Sequence, residues 1–480
     1  MITPMMEKQL LVLYKTLTGH SPAEIKRIAG AGSNRRYFRL CPNPDIIGTI
    51  GTSREENEAF IYLCENFHKK GLPVPEILAM TVDHSCYLQS DLGDTALFDL
   101  ISKRPDKSEW NEDITALLTK TITLLPKMQW IGGKELDYGK CYPVPEMHRR
   151  SVMWDLNYFK YCFLKATGIE FREDFLEDDF EKFADILLRE KSDTFMFRDF
   201  QSRNVMIKNG EPYFIDFQGG RRGPWQYDLV SFLWQAKAAF PPSLRDKLIE
   251  DYLNAASEFA EIDRDNFYHT LPYFVLFRTL QVLGAYGFRG YVEHKPHFLQ
   301  SIPGAINNLT EILDHGFPEL PYLNSLLKEM SSMERFNDKQ EKTDRLTVKV
   351  ASFGYNRHGI PTDLSGNGGG FVFDCRALHN PGRYDQYKQL TGLDREVIEF
   401  LENDGSILQF LSEVYPMIDN SVETYLKRGF TSLMVSFGCT GGQHRSVYSA
   451  EHLAAHLHER FPDAIIELTH FELGKKLILK

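Results

Sequence analysis

The chain has no apolar run that approaches the roughly 20 residues of a membrane-spanning helix. It has no CxxC pair either. Its seven cysteines (Cys41, Cys64, Cys86, Cys141, Cys162, Cys375 and Cys439) stand far apart and are odd in number. That spacing argues against a disulfide framework or a zinc knuckle and suggests a reducing, cytoplasmic setting. Positive charge is in deficit, with 55 Lys and Arg against 66 Asp and Glu and a net charge of -11. Such a balance disfavours a general nucleic-acid binder, which needs a basic face. No GxxxxGK[ST] phosphate loop occurs, and no lysine lies between Lys26 and Lys69. The opening "MITPMMEKQLLVLYKTL" lacks the basic start and long apolar block of a signal peptide and reads as an amphipathic helix.

The 480 residues, 42% hydrophobic and 13% aromatic, suffice for two or three cores. One seam stands out, the polar, non-periodic "KEMSSMERFNDKQEKTDR" from Lys328 to Arg345. We expect a domain over residues 1–325, a linker over 326–345 and a second domain over 346–480. The first begins with a small β-rich part. "AGAGSNRRYFRL" reads as strand–turn–strand, and "REENEAFIYLCENFHKKG" as an amphipathic helix ending at Gly71. From about Ser108 helices dominate.

One compact polar segment interrupts them: "FMFRDFQSRNVMIKNGEPYFIDFQGGRRGPWQYDLVSF", Phe195 to Phe232. Asn204 follows Asp199 by five residues, and Asp216 follows Asn204 by twelve. Between them, two short apolar strands around Asn209-Gly210 predict a hairpin, which brings Asn204 and Asp216 to one end. Two oxygen ligands for Mg²⁺ on ATP and a neighbouring carboxylate to accept a hydroxyl proton are what phosphoryl transfer requires. A DxxxxN alone is common, and an ordinary acidic loop gives the same pattern.

"RDFQSRNVM" and "IDFQGGRRGPWQYDLVSF" resemble the aminoglycoside phosphotransferase-like kinases, and among them the anomeric kinases of cell-wall amino sugars (AmgK). "FRTLQVLGAYGF" (Phe277 to Phe288) is similar to the same group. The resemblance spans roughly residues 10–315 and implies an α+β bilobal kinase-like domain using ATP and Mg²⁺ on a sugar hydroxyl. It assigns the catalytic base to Asp199, the metal ligands to Asn204 and Asp216, and a bracing carboxylate to Asp228, for which a helix cap is an equal reading. Three departures stand against it. Phe197 replaces the usual His, Phe217-Gln218 replaces Phe-Gly, and the third-strand lysine that would pair with a helix glutamate such as Glu58 is missing. Arg35, Arg36, Arg39 or the backbone of "GAGSN" are the substitutes on offer. Gly32, Ser33, Asn34 and Arg35 are the nucleotide-loop candidates, and an ordinary turn fits each of them singly. A non-catalytic kinase fold stays open.

In the second domain "TSLMVSFG" reads as a buried strand, "CTGGQHR" as a turn and "SVYSAEHLAAHLHERF" as a helix. A strand feeding a glycine turn that opens a helix suits an anion, with Arg445 and His444 adding contacts. Cys439 as a phosphatase nucleophile and a merely structural turn are the alternatives. Gly438 stands where such phosphatases carry histidine.

This stretch, with "FVFDCRALHNPGRYD" and "LTGLD", resembles the C-terminal domain of the RNase adapter RapZ, over about Val348 to Leu473. The resemblance implies a smaller α/β domain that binds an amino-sugar phosphate, glucosamine-6-phosphate. It also implies self-association and, in RapZ itself, RNA recognition. By match, Cys439, Thr440, Gly441, Gly442, Gln443, His444, Arg445 and Ser446 line the phosphate site, completed by Asp374, Arg376 and Asn380. A structural ion pair is the plain reading of Asp374 and Arg376. RNA is the less favoured partner, because residues 346–480 hold 13 basic against 16 acidic residues. Together the resemblances suggest a kinase for an amino sugar of the N-acetylglucosamine or N-acetylmuramate type, with a regulatory sugar-phosphate module. An adapter for RNA or protein, and a kinase for an aminoglycoside or choline, stay open.

Overall fold

The computed structural model describes residues 4–28, 35–41, 46–104, 109–336, 345–361, 363 and 370–479. Two compact units emerge, one of Met1–Phe288 with Ser301–Asn337, the other of Arg289–Gln300 with Asp338–Lys480. Gly32, Ser33 and Asn34 lie outside the described residues.

The first unit opens with helix α1 (Pro4–Thr18) and an antiparallel five-stranded sheet. Its strands β1 (Glu24–Ile28), β2 (Arg36–Cys41), β3 (Ile46–Ile50), β4 (Ile77–Met80) and β5 (Cys86–Ser90) run in the order β1-β2-β3-β5-β4. Leu10 and Tyr14 of α1 pack against Leu40, Ile46, Ile50 and Leu88 of the sheet. Helix α2 (Arg54–Lys69) starts where the Ser53 side chain accepts the Glu56 N–H and buries Phe60, Leu63, Cys64 and Phe67. It ends as expected before Gly71, whose φ of 69° stops the helix.

The larger lobe holds α3 (Leu97–Ser102), α4 (Glu112–Pro126), α5 (Arg149–Phe159), α6 (Glu173–Leu188), α7 (Gln226–Leu233), α8 (Pro242–Ala256) and α9 (Arg264–Gly287). After α10 (Pro296–Leu299), whose residues group with the second unit, come α11 (Ile302–Leu313) and α12 (Pro321–Ser332). Helix α9 is buried on nearly every side and includes four polar residues among its buried ones, Thr270, Arg278, Thr279 and Gln281. Residues 326–332, expected in the linker, instead continue α12 and bury Leu326, Leu327 and Met330. The apolar spacing of those three residues outweighs the polar composition around them.

Between α6 and α7 lie β6 (Thr194–Met196), β7 (Val205–Lys208), β8 (Glu211–Phe214) and β9 (Arg221–Gly223). β6 pairs with β9 and β7 with β8, both antiparallel. The β7–β8 turn is the expected Asn209-Gly210, with φ of 54° and 76°. Two successive positive φ values are what a tight primed turn demands.

The second unit is α/β. Strands β10 (Thr347–Gly354), β11 (Gly370–Asp374), β12 (Ser432–Cys439), β13 (Ile465–His470) and β14 (Lys475–Leu479) form one sheet in the order β11-β12-β10-β13-β14. All neighbours are parallel except β13 and β14. All eight residues of β12 are buried, as a central parallel strand requires. Helices α13 (Arg395–Asp404), α14 (Ser406–Arg428) and α15 (Arg445–Arg460) supply much of its core, with Val397, Leu411, Ile418, Leu453 and Leu457 closing on Val348, Val350 and Phe437. No helix among the described residues is long and apolar enough to cross a membrane.

Candidate functional site

The polar segment of the first unit folds around a buried carboxylate. Asp228, in the first turn of α7, is fully buried and accepts N–H bonds from Phe197 (2.6 Å) and Arg198 (2.8 Å). Burial pushes its carboxyl up to about 7, and the two backbone N–H groups work in the opposite direction. This anchor holds the loop with Arg198 at φ 77°. Side chains of residue 197 take no part in it. Phe197 packs instead between Phe200 and Phe217, at 5.4 and 5.8 Å between centroids, so an aromatic ring is accommodated at this position.

Asp199, next in the loop, keeps half its side chain exposed and meets Arg278 Nη2 at 3.3 Å. Arg278 is itself fixed by the Tyr227 hydroxyl (3.1 Å) and by Gln281. Gln281 reaches Asp155 (3.1 Å), which pairs with Arg198 (3.0 Å). The loop is thereby cross-braced from α5 and α9. Sequence reasoning missed Arg278, Gln281 and Asp155. The available signal was an arginine and a glutamine three residues apart inside the apolar run "YFVLFRTLQVLG".

Asn204 directs its Nδ2 to the Asp199 carbonyl (2.8 Å), which leaves Oδ1 as an acceptor. The β7–β8 register pairs Val205 with Phe214, and Ile215 N–H bonds to the Asn204 carbonyl (3.1 Å). Asn204 and Asp216 therefore flank the open end of the hairpin, as the turn sequence implied. Asp216 has φ 68° and accepts from Gln218 Nε2 at 2.8 Å. Burial raises its carboxyl above the ordinary value, and the charge of Asp199 adds to the effect. A divalent cation would relieve both causes, so the donor set fits a magnesium ion.

Of the three arginines offered for the absent lysine, Arg36 pairs with Glu7 at the surface, and Arg39 is clamped by Asp91 and Asp94. Arg35 differs. Its side chain is 4% exposed, lies 3.4 Å from the Glu56 carboxylate, donates to the Glu56 carbonyl (3.1 Å) and covers the Phe60 ring. Phe60 stacks on Phe217, beside Asp216, at 5.0 Å. The helix glutamate is thus Glu56, whereas Glu58 is engaged with Arg54 and His84.

In the second unit the turn between β12 and α15 has Gly442 at φ 70°, with Gly354 backbone where a side chain would sit. The Gly442 N–H donates to Cys439 Sγ (3.2 Å), and the Ser446 hydroxyl lies 3.1 Å from the same sulfur. Those bonds, with Arg445, draw the Cys439 thiol below its ordinary value despite burial, the largest single influence, which acts the other way. Three expected ligand side chains turn elsewhere. Arg445 donates to the carbonyls of Arg376 and Leu378 (both 2.9 Å), Gln443 to those of Lys388 (2.9 Å) and Leu390 (2.7 Å), and His444 Nε2 lies 2.9 Å from the Tyr387 carbonyl. The coil after β11 presents these carbonyls to Arg445 Nη1, while the buried Arg445 Nε has no hydrogen-bond partner.

Asp374 and Arg376 form an ion pair (2.7 Å) beside Tyr355, and the Asn380 side chain caps the Pro381–Arg383 turn. Thr440 is exposed and Gly441 faces open space. The backbone of the turn, the helix N-terminus and the unpartnered Arg445 Nε are the donors left at this turn. A histidine at 438 is excluded, since even a Cβ there would lie 2.5 Å from Phe353 and Tyr355.

A family model described as the phosphotransferase enzyme family matches residues 24–264, and one described as the RapZ C-terminal domain matches residues 346–474. A nucleotide-binding protein of Nitrosomonas europaea is 44% identical over 115 residues, which are 24% of this chain and 38% of that protein. The chain spans less than half the length of the curated relatives it matches. Among solved structures, a choline kinase from Streptococcus pneumoniae aligns with a TM-score of 0.45 and 13% identity over 64% of this chain and 99% of its own. A choline kinase from Cryptosporidium parvum gives 0.43 and 12%, over 64% and 93%.

Proposed function

The chain belongs to the phosphotransferase enzyme family, and from that premise we propose that its first unit transfers the terminal phosphoryl group of ATP to a hydroxyl of a small amino sugar. The observation that carries the reading is the braced loop. Asp228 holds the backbone at Phe197 and Arg198, so that Asp199 projects half-exposed beside the Asn204–Asp216 end of the hairpin. Asp199 orients the acceptor hydroxyl and takes its proton. Asn204 Oδ1 and the Asp216 carboxylate would hold Mg²⁺, which supplies charge neutralisation on the phosphates when bound. Arg35, held by Glu56, provides the cation that the third strand lacks, as a fork of N–H donors in place of an ammonium.

The second unit, in this reading, binds an amino-sugar phosphate such as glucosamine-6-phosphate through the backbone of residues 439–446 and reports its level to the kinase. Such coupling requires the ligand to favour one kinase state over another. The whole chain is then a cytoplasmic enzyme with a built-in sensor, and self-association through the second unit is compatible with it.

The test is ATP- and Mg²⁺-dependent phosphorylation of a panel of amino sugars, aminoglycosides and choline, by wild type and Asp199→Asn. Turnover of an amino sugar that the variant loses supports the proposal. Turnover only of choline or an aminoglycoside moves the acceptor class, and no turnover by folded, ATP-binding protein favours the adapter.

A further inference from the structure

Two cysteines at adjacent strand ends have no role in the reading above. β11 and β12 run parallel with Asp374 opposite Gly438, and the Cys375 N–H bonds to the Gly438 carbonyl at 2.8 Å. One step further, Cys439 ends β12 and Cys375 follows the last residue of β11, so the two stand side by side. Neighbouring strands lie about 4.8 Å apart, inside the roughly 4.4–6.8 Å between Cα atoms that a disulfide spans. Both side chains face α15. Cys439 Sγ is 3.1 Å from Ser446 Oγ, and Cys375 Sγ is 3.8 Å from Ser449 Oγ, one helical turn on. Both residues are buried, at 3% and 0% exposure.

We propose that Cys439 and Cys375 are a peroxide-sensitive dithiol whose oxidation to a disulfide disables the anion loop. The two sulfurs are unequal, as such chemistry needs. Cys439 sits at the N-terminus of a 16-residue helix and accepts the Gly442 N–H, which favours its thiolate. Burial pushes Cys375 up to about 12, with the charge of Cys439 adding to it. Burial also raises Cys64, Cys86, Cys141 and Cys162, so Cys439 is set apart from these.

The Cys439 thiolate attacks one oxygen of hydrogen peroxide, forming a sulfenic acid as the O–O bond breaks and hydroxide leaves. The Cys375 thiol then attacks that sulfur, closes the S–S bond and expels the hydroxyl. The proton released by Cys375 and the one lost earlier by Cys439 complete two waters. The sum is two thiols and one peroxide to one disulfide and two waters. A dithiol reverses it. Once bonded to Cys375, the Cys439 sulfur is drawn toward β11 and away from Gly442 and Ser446, and the turn loses the contacts that shape it. The loss of anion binding rests on the phosphate-site reading above; the disulfide does not.

The experiment treats the full chain with hydrogen peroxide, maps non-reduced peptides by mass spectrometry and titrates inorganic phosphate by calorimetry before oxidation, after it, and after dithiothreitol. A Cys375–Cys439 peptide lighter by two hydrogens is expected, with phosphate affinity falling at least about tenfold and returning on reduction. Cys375→Ser should instead accumulate oxygen adducts on Cys439. A folded chain that oxidises without that linked peptide overturns the proposal, as does a linked peptide with unchanged phosphate affinity. If the reduced chain binds no phosphate while the linked peptide forms, the dithiol assignment stands and the anion-site reading falls.

Discussion

The Asp199 loop of the first unit and the glycine turn of the second both project polar groups from a strand end, but from opposite parts of the chain. In the loop, backbone N–H groups at Phe197 and Arg198 are spent on Asp228, while Asp199 stays half-exposed, Asn204 keeps its Oδ1 and Asp216 accepts from Gln218, the groups that the proposed chemistry uses. In the turn, the Gln443 amide, His444 Nε2 and Arg445 Nη1 are spent on the coil from residue 376 to 390, and the backbone remains together with the buried Arg445 Nε, which has no hydrogen-bond partner. The lesson is that a polar residue beside a site acts in it only if the fold has not already claimed its donors. Substitutions should therefore separate the two regions: side-chain changes strike function in the first and stability in the second.

The sharpest break is Asp199→Asn. Removing the proton acceptor should lower kcat by about 10²–10⁴-fold with little change in melting temperature, measured by turnover and thermal denaturation. Arg35→Ala comes next, with an expected loss of roughly 10²-fold in kcat/KM and Arg35→Lys partly active, because one buried charge-assisted donor set is lost. An Arg35→Ala variant of unchanged activity would return the phosphate cation to another residue.

In the second unit the order reverses. Arg445→Ala should destabilise by about 1–3 kcal/mol in urea unfolding, since it empties a buried guanidinium site and breaks two part-buried hydrogen bonds. Gly442→Ala should cost a similar ~1–3 kcal/mol and abolish phosphate binding, since φ 70° and the Gly354 backbone both oppose a side chain. Loss of phosphate binding in a fully stable Arg445→Ala chain would erase the distinction drawn above.

The last effect concerns pH. Burial pushes the Asp228 carboxyl up to about 7 in the folded chain, against about 3.9 for an unfolded aspartate. Between those values the folded chain binds more protons than the unfolded one, so the stability Asp228 contributes is full below the lower value and falls as pH rises toward 7. The slope relative to Asp228→Asn should be up to about 1.4 kcal/mol per pH unit between pH 5 and 7, and flat above about 8. Unfolding at a series of pH values checks it.

The hairpin, its Asn209-Gly210 turn, the helix ending at Gly71 and the strand–turn–helix at Cys439 were all legible in the sequence. Each depends on neighbouring residues whose backbone preferences are intrinsic, and positive φ at glycine and asparagine is the clearest of them. The same locality made Asn204 and Asp216 converge. The helical start of the expected linker was hidden because its burial depends on distant partners in the first unit.

By itself, then, the sequence determined where chemistry-bearing groups can stand along the chain. Only tertiary structure decided which of them are free to act. It paired Arg35 with Glu56, held Arg36 on Glu7 and Arg39 on Asp91 and Asp94, engaged Glu58 with Arg54 and His84, brought Arg278 and Asp155 to the loop, and turned Arg445 Nη1 to the coil after β11. The reason is physical. A polar group taken out of water must find partners, and those partners come from strands and helices far away in sequence, so their identity cannot be read from local spacing.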